Sequence, residues 1–178
     1  KIGQYYAAYM DTAAIDKAGL KPVQPWLDSI SAIQNGEQLA AWLGQSQGLV
    51  NTPVLLTIEA DFKKPPINRL LTWQGGLGLP DRDYYLKKDD ERMAKARAAY
   101  VGYLEQLAKA AGEADAAAAA QRVMALEQRI AELHWTQVDN RDPVKVYNPM
   151  SPAELAKAAP GFDWAGFLKA ARVGDQEL

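Results

Sequence analysis

Cysteine is absent from all 178 residues. Disulfides, iron–sulfur clusters, thiolate zinc sites and cysteine nucleophiles are therefore excluded within the chain. The absence suits a cytoplasmic or a periplasmic home equally. Histidine is nearly as scarce. His134 is the single one, so a zinc site built on paired histidines is impossible here. Neither charge sign dominates: Lys and Arg number 20 against 22 Asp and Glu, with a pI near 5.5. That balance offers no basic field for nucleic acid or an anionic membrane. Lys63-Lys64 and Lys87-Lys88 are short, and the second meets Asp89-Asp90-Glu91 at once. No apolar run approaches the roughly 20 residues of a membrane span, so no membrane insertion by this chain is expected. No signal-peptide pattern is present.

What is present is ordinary for a folded domain: 48% apolar and 24% charged residues. The chain opens on Lys1-Ile2-Gly3, without an initiator methionine, directly in a helical pattern. A piece of a longer polypeptide is expected. The most unusual stretch is 75–86, where three glycines in four positions are followed by Leu79-Pro80-Asp81-Arg82-Asp83-Tyr84-Tyr85-Leu86. Glycines there release the backbone from Cβ clashes, and Pro80 holds Leu79 extended. Pro80 suits the first turn of a new helix, with Asp81 and Asp83 near its positive end. A glycine-rich joint between structural layers is predicted, in preference to a ligand loop.

Before the joint the elements are short. Ile2, Tyr5, Tyr6, Tyr9, Met10 and Ala13 recur at helical spacing up to Gly19, and core packing is the expected use of the tyrosines. Pro22 opens a second amphipathic helix to about residue 34, closed by Asn35-Gly36. A third runs from Glu37 to about Gln45, with Leu39, Trp42 and Leu43 on one side. The period then changes. β-Branched runs in Thr52–Ala60 and Leu70–Trp73, joined by a polar, proline-bearing connection, predict a β-hairpin over 52–74.

After the joint, Met93, Ala96, Tyr100, Leu104, Leu107 and Ala111 form one stripe of a long helix over 89–111. A second long helix over 114–137 begins in an alanine run and carries Val123, Leu126, Ile130, Leu133 and Gln137. The short connection predicts that the two lie antiparallel. The alanine run reflects close helix packing or plain propensity. Asn140-Arg141-Asp142-Pro143 breaks the pattern. Ser151-Pro152-Ala153-Glu154 is a capping box for a short helix to about Ala158. Phe162, Trp164, Phe167 and Leu168 form a last apolar face. The predicted fold is mainly α: two long antiparallel helices, several short helices and one small hairpin.

Chemistry is thinly represented. The joint lacks the third glycine of a dinucleotide fingerprint, and neither a phosphate loop nor a nucleophile elbow occurs. Asp81 with Asp83, and Asp89 with Asp90, are the densest acidic sites, best read as helix-start stabilisers. Arg82 and Arg141 lie in acid-rich segments, where internal pairing is expected. His134, at the end of a long helix, reads as a surface or capping residue. No catalytic, cofactor-binding or metal-binding residue is assigned.

Residues 76–86, Gly-Leu-Gly-Leu-Pro-Asp-Arg-Asp-Tyr-Tyr-Leu, resemble the hallmark of the N-terminal region of neprilysin-like zinc metallopeptidases. Three further segments agree in order: Tyr6 to Ile15-Asp16, Met124–Ala131, and Asn140-Arg141-Asp142-Pro143 followed by Tyr147-Asn148-Pro149-Met150-Ser151. The resemblance spans essentially the whole chain. It implies a larger enzyme, in which two helical lobes enclose a chamber that admits peptides and small proteins. A His-Glu-x-x-His helix and a downstream glutamate would hold the zinc there. Neither that motif nor the family's Asn-Ala-x-Tyr motif occurs here, so the resemblance implies that 1–178 belongs to a single non-catalytic N-terminal lobe. Zinc would be bound in the parent enzyme and not by this chain. Its partners would be the missing catalytic lobe and, through the parent, peptide substrates. Many alanines, no cysteine and no Asn-x-Ser/Thr site fit a bacterial member, with a periplasmic or cell-envelope location implied. The competing expectation is a stand-alone helical interaction module without catalysis.

Overall fold

The computed structural model describes residues 1–173, which divide into two compact units, the second starting at Gln34. The first unit holds α1 (Ile2–Met10), α2 (Thr12–Ala18), a 3₁₀ turn (Lys21–Val23) and α3 (Gln24–Ser31). The single helix expected over 2–18 is broken at Asp11, whose carboxylate accepts from the Ala14 amide at 3.0 Å and so starts α2 afresh. No residue of these helices is buried. The tyrosine stripe expected to pack in a core is exposed instead, because the unit's short helices hold nothing that covers it. Pro22 enters the 3₁₀ turn, and Pro25 takes the first turn of α3.

Asn35 does not close α3 but caps α4 (Gly36–Gln45), accepting from the Gln38 amide at 2.9 Å. An asparagine before a helix is as good an N-cap as a turn residue, and its partner decides which it is. β1 (Val54–Ala60) and β2 (Asn68–Gln74) pair antiparallel, from Val54 opposite Gln74 to Ala60 opposite Asn68. Then come α5 (Asp83–Leu86), α6 (Glu91–Ala110), α7 (Ala116–Leu133), a 3₁₀ turn (Asp139–Arg141), α8 (Pro152–Ala158) and α9 (Trp164–Ala170). The mainly α architecture with one small hairpin is as expected.

One core lies where α4, α9 and the hairpin meet. Ala40, Phe167 and Leu168 are buried there, with Leu43, Val54, Leu56 and Leu70 against them. Phe162 and Trp164 meet edge-on at 4.8 Å, and the Trp164 indole donates to the Ala159 carbonyl at 2.9 Å. Gln47 ties α4 to β1, donating to the Val54 carbonyl and accepting from the Leu56 amide at 2.8 Å. The buried side of α4 is Ala40 and Gly44 rather than Leu39, which is exposed. Small residues win because α9 comes close. A Cβ on Gly44 would stand 2.2 Å from the Phe167 carbonyl oxygen.

A second core joins α5, α6 and α7. Asp90 caps α6 by accepting from Met93, and Asp115 caps α7 by accepting from Ala118. The buried side of α7 is Ala116, Ala119, Ala120 and Ala131. The alanine run is thus a close-packing face, one of the two uses its composition allowed. The larger residues Val123, Leu126 and Leu133 face outward, and the helix ends at Leu133, short of Gln137. His134 is extended (ψ 141°) because its ring and the next residue are held by the end of β2 and the joint. Ser151 and Glu154 form the capping box of α8 as predicted.

Gly44→Ala should destabilise the chain by about 2–3 kcal/mol, since the new methyl meets backbone rather than a movable side chain. Urea unfolding of the variant measures this directly. A midpoint equal to that of the parent sequence would show that α4 and α9 are not in close contact.

Candidate functional site

The joint 75–86 has a fastening at each turn. Gly76 takes φ +81°, in the left-handed region, and its amide donates to the Asn51 side chain at 3.0 Å. Asn51 in turn donates to the Leu77 carbonyl at 2.9 Å. The His134 ring nitrogen Nε2 lies 3.0 Å from the Gly75 carbonyl. Pro80 does not enter the first turn of a helix as expected. α5 begins only at Asp83, because Asp81 turns the chain first, accepting from the Asp83 amide at 2.8 Å and from Gln137 at 2.6 Å. Asp83 lies in the first turn of α5 and pairs with Lys87 at 2.8 Å. Arg82 Nε reaches the Ala131 carbonyl at 3.3 Å rather than a carboxylate. Arg141 ends the 3₁₀ turn at Asp139–Arg141.

The strongest fastening is Glu127, on α7. Its carboxylate accepts from Tyr85 at 2.5 Å, from Tyr100 at 2.8 Å and from the Gly78 amide at 3.2 Å. Tyr85 is 1% exposed, and its hydroxyl also accepts from the Leu79 amide at 2.9 Å. One carboxylate thus joins the joint to α5, α6 and α7. Burial first, then Glu127, holds both phenols above the ordinary tyrosine range. Gly78 is required by closeness. A Cβ there would fall 1.9 Å from the Tyr100 hydroxyl. Glu127 is not recognisable from its own segment, since Tyr85 lies 42 positions away.

A second buried carboxylate, Asp61, sits at the hairpin turn. It pairs with Arg69 and accepts the amides of Lys63 at 2.7 Å and Lys64 at 2.8 Å. The Tyr147 hydroxyl is 3.2 Å from both oxygens. Burial pushes the carboxyl up, but Arg69, the two amides and Tyr147 together bring it down from 3.8 to about 2. Asp61 was not singled out by sequence. Its signal was an aspartate before a Lys-Lys-Pro-Pro turn, and the decisive partner, Tyr147, is 86 positions away. Beside it a cavity of about 400 Å³ is walled by Trp73, Leu133, Trp135, Tyr147, Met150 and Leu155. A smaller one of about 310 Å³ lies under the joint, by Asn51, Arg82 and His134.

His134 sits at the C-cap of α7, as its sequence position suggested, and it is half-buried. Burial lowers its pKa below 6.5, the Gly75 carbonyl opposes this, and the nearby Arg82 charge adds to the lowering. The ring therefore acts as a neutral tether. The residues present do not fit a zinc centre. Glu127 and Asp61 are spent on phenols, amides and a guanidinium, and among the described residues no three His, Cys, Asp or Glu side chains converge. No chemical step is assigned to them.

The described residues thus form a helical region bound together by a glycine-proline joint, with its polar clusters turned inward. The family model of peptidase family M13, in its N-terminal part, matches residues 1–177, and the chain belongs to that family. Endothelin-converting enzyme 1 from Rattus norvegicus is 30% identical over 93% of this chain and 23% of its own length. The Homo sapiens enzyme of that name is likewise 30% identical, over 92% and 22%. In structure, the zinc metalloprotease Zmp1 of Mycobacterium tuberculosis with inhibitor superposes with a TM-score of 0.85 at 32% identity. That match covers 96% of this chain and 26% of the other. The chain therefore spans about a quarter of the length of these relatives.

Two outcomes are expected. Glu127→Ala should cost about 3 kcal/mol in urea unfolding, because Tyr85, Tyr100 and the Gly78 amide lose one acceptor together. Asp61 has a depressed folded pKa, so its contribution is complete above 3.8 and is lost as pH falls toward about 2. Thermal unfolding between those pH values should therefore fall less steeply in Asp61→Asn than in the unaltered chain.

Proposed function

We propose that residues 1–178 form part of the non-catalytic N-terminal lobe of a zinc-dependent endopeptidase, where they help enclose the chamber that receives peptide substrates. The observation that carries this reading is the pairing of a family match over 1–177 with coverage of only about a quarter of the relatives. The zinc ligands and the residues that cleave peptides then lie outside this chain. The Glu127 and Asp61 clusters serve as the rigid frame of a wall, and both compact units belong to the one lobe. Peptide substrates meet this chain only through the parent enzyme. A periplasmic or cell-envelope location is part of this proposal, in keeping with the bacterial structural relative. Among the described residues no helix is long and apolar enough to cross a membrane.

The test reads the coding sequence beyond codon 178 and measures zinc on the purified chain. The expected results are a His-Glu-x-x-His codon run downstream and substoichiometric zinc by mass spectrometry. A stop codon close to Leu178 would favour a self-contained interaction module. Tight, stoichiometric zinc would contradict the reading outright.

A further inference from the structure

We infer that the outer edge of β2, where it borders the 400 Å³ cavity, binds an extended stretch of a peptide substrate as a third strand. The inference rests on the proposed function and names how this chain holds a substrate. The hairpin ladder decides which main-chain groups are free. The Gly75 amide donates to the Pro53 carbonyl at 3.0 Å, and the Asp61 amide to the Ile67 carbonyl at 2.8 Å. In the register between them every second pair exchanges bonds across the hairpin, such as Leu55 with Trp73 and Thr57 with Leu71. Leu70 and Thr72 therefore turn their N–H and C=O groups away from β1. Neither has another hydrogen-bond partner among the described residues. The outer edge of β1 differs, because Gln47 already takes the Val54 carbonyl and the Leu56 amide.

Leu70 and Thr72 both line the cavity, together with Trp73, Trp135, Met150 and Leu155. At one end the Gln74 side chain bonds the Trp135 backbone at 2.8 and 3.2 Å. At the other end Asp61 and Tyr147 meet. The occupant follows from these groups. Donors and acceptors at alternate positions of one strand are satisfied as a set by an extended polypeptide backbone. The two indoles, Met150 and Leu155 then receive an apolar side chain. Asp61 is already paired with Arg69, so the trough asks for no charge. Its volume lies near the lower end of the ~300–1,000 Å³ of small-ligand pockets, which admits a few residues of a single strand. A second copy offering its own β2 would bring its own Tyr147 segment alongside, and a cavity of that size does not hold both.

The experiment uses the full-length parent enzyme, stripped of zinc by a chelator so that the probe stays intact. The probe is a blocked hexapeptide of alternating valine and threonine, and amide hydrogen exchange is followed at Leu70 and Thr72. Both amides are expected to exchange freely in the unliganded enzyme and to slow by about tenfold when the probe saturates. Methylating alternate probe nitrogens should abolish the protection, because the side chains remain while the strand bonds are lost. Thr72→Pro removes an N–H that the ladder does not use, and should weaken the probe about tenfold. Protection already present without the probe would show that the parent's own chain fills the edge. Protection that rises with enzyme concentration would assign the edge to a second copy. Equal protection by the methylated probe would reduce the site to apolar contact. Each of these overturns the inference, as does a probe that protects neither amide. Peptide cleavage by the same enzyme with zinc restored tests the proposed function separately. An enzyme that cleaves peptides yet shows no protection refutes only the third strand, whereas one that cleaves none removes the functional reading itself.

Discussion

The structure turns on one carboxylate. Glu127 collects two phenolic hydroxyls and one backbone amide, and each comes from a different part of the chain. Tyr85 belongs to α5, Tyr100 to α6, and Gly78 to the joint that follows the hairpin. Without that acceptor, the hydroxyl of a fully buried tyrosine would have nowhere to donate, and the joint would lose one of its anchors to the long helices. Unpaired buried polar groups are costly, so the cluster is strongly biased to form complete or not at all. The glycines of the joint are consequences of this geometry, since Gly78 stands where only a hydrogen fits beside Tyr100.

Seen from Glu127, the separate observations become one design. The alanine face lets α7 lie close to its neighbours, which places Glu127 within reach of both tyrosines. His134 and Gln137 then secure the far side of the joint, through Gly75 and Asp81. The Asp61 cluster does the same for the tip of the hairpin and the Tyr147 segment. Glu127, Asp61, Asp81 and His134, which look catalytic in isolation, are each held by internal partners. A frame of this kind holds its shape through internal partners, as the proposed role in a wall requires.

Features determined by neighbours in sequence were legible. The hairpin, the stripe of α6, the capping box at Ser151 and the existence of α7 all rest on local propensity and spacing. Features set by distant partners were not. Asn35 could cap either flanking helix, and only the Gln38 amide decides it. Gly44 carries no local signal of its role, yet it is the contact point for α9. The leucines of α7 carry the stronger hydrophobic signal, but its alanines face the core, because closeness between helices favours small side chains. Asp61 and Glu127 find partners up to 86 positions away, which no spacing rule reaches. The family, by contrast, was legible from the joint, because such a geometry leaves few alternatives for its residues.

The most direct measurement is amide hydrogen exchange at Gly78 and Leu79, which donate to Glu127 and to the Tyr85 hydroxyl. Both lie outside any helix or strand, so loop backbone alone would leave them unprotected. The expected result is protection close to that of α6 and α7, lost at both positions together in Glu127→Gln. Exchange at unprotected rates in the unaltered chain would contradict the account, since the joint would then not be held by this carboxylate.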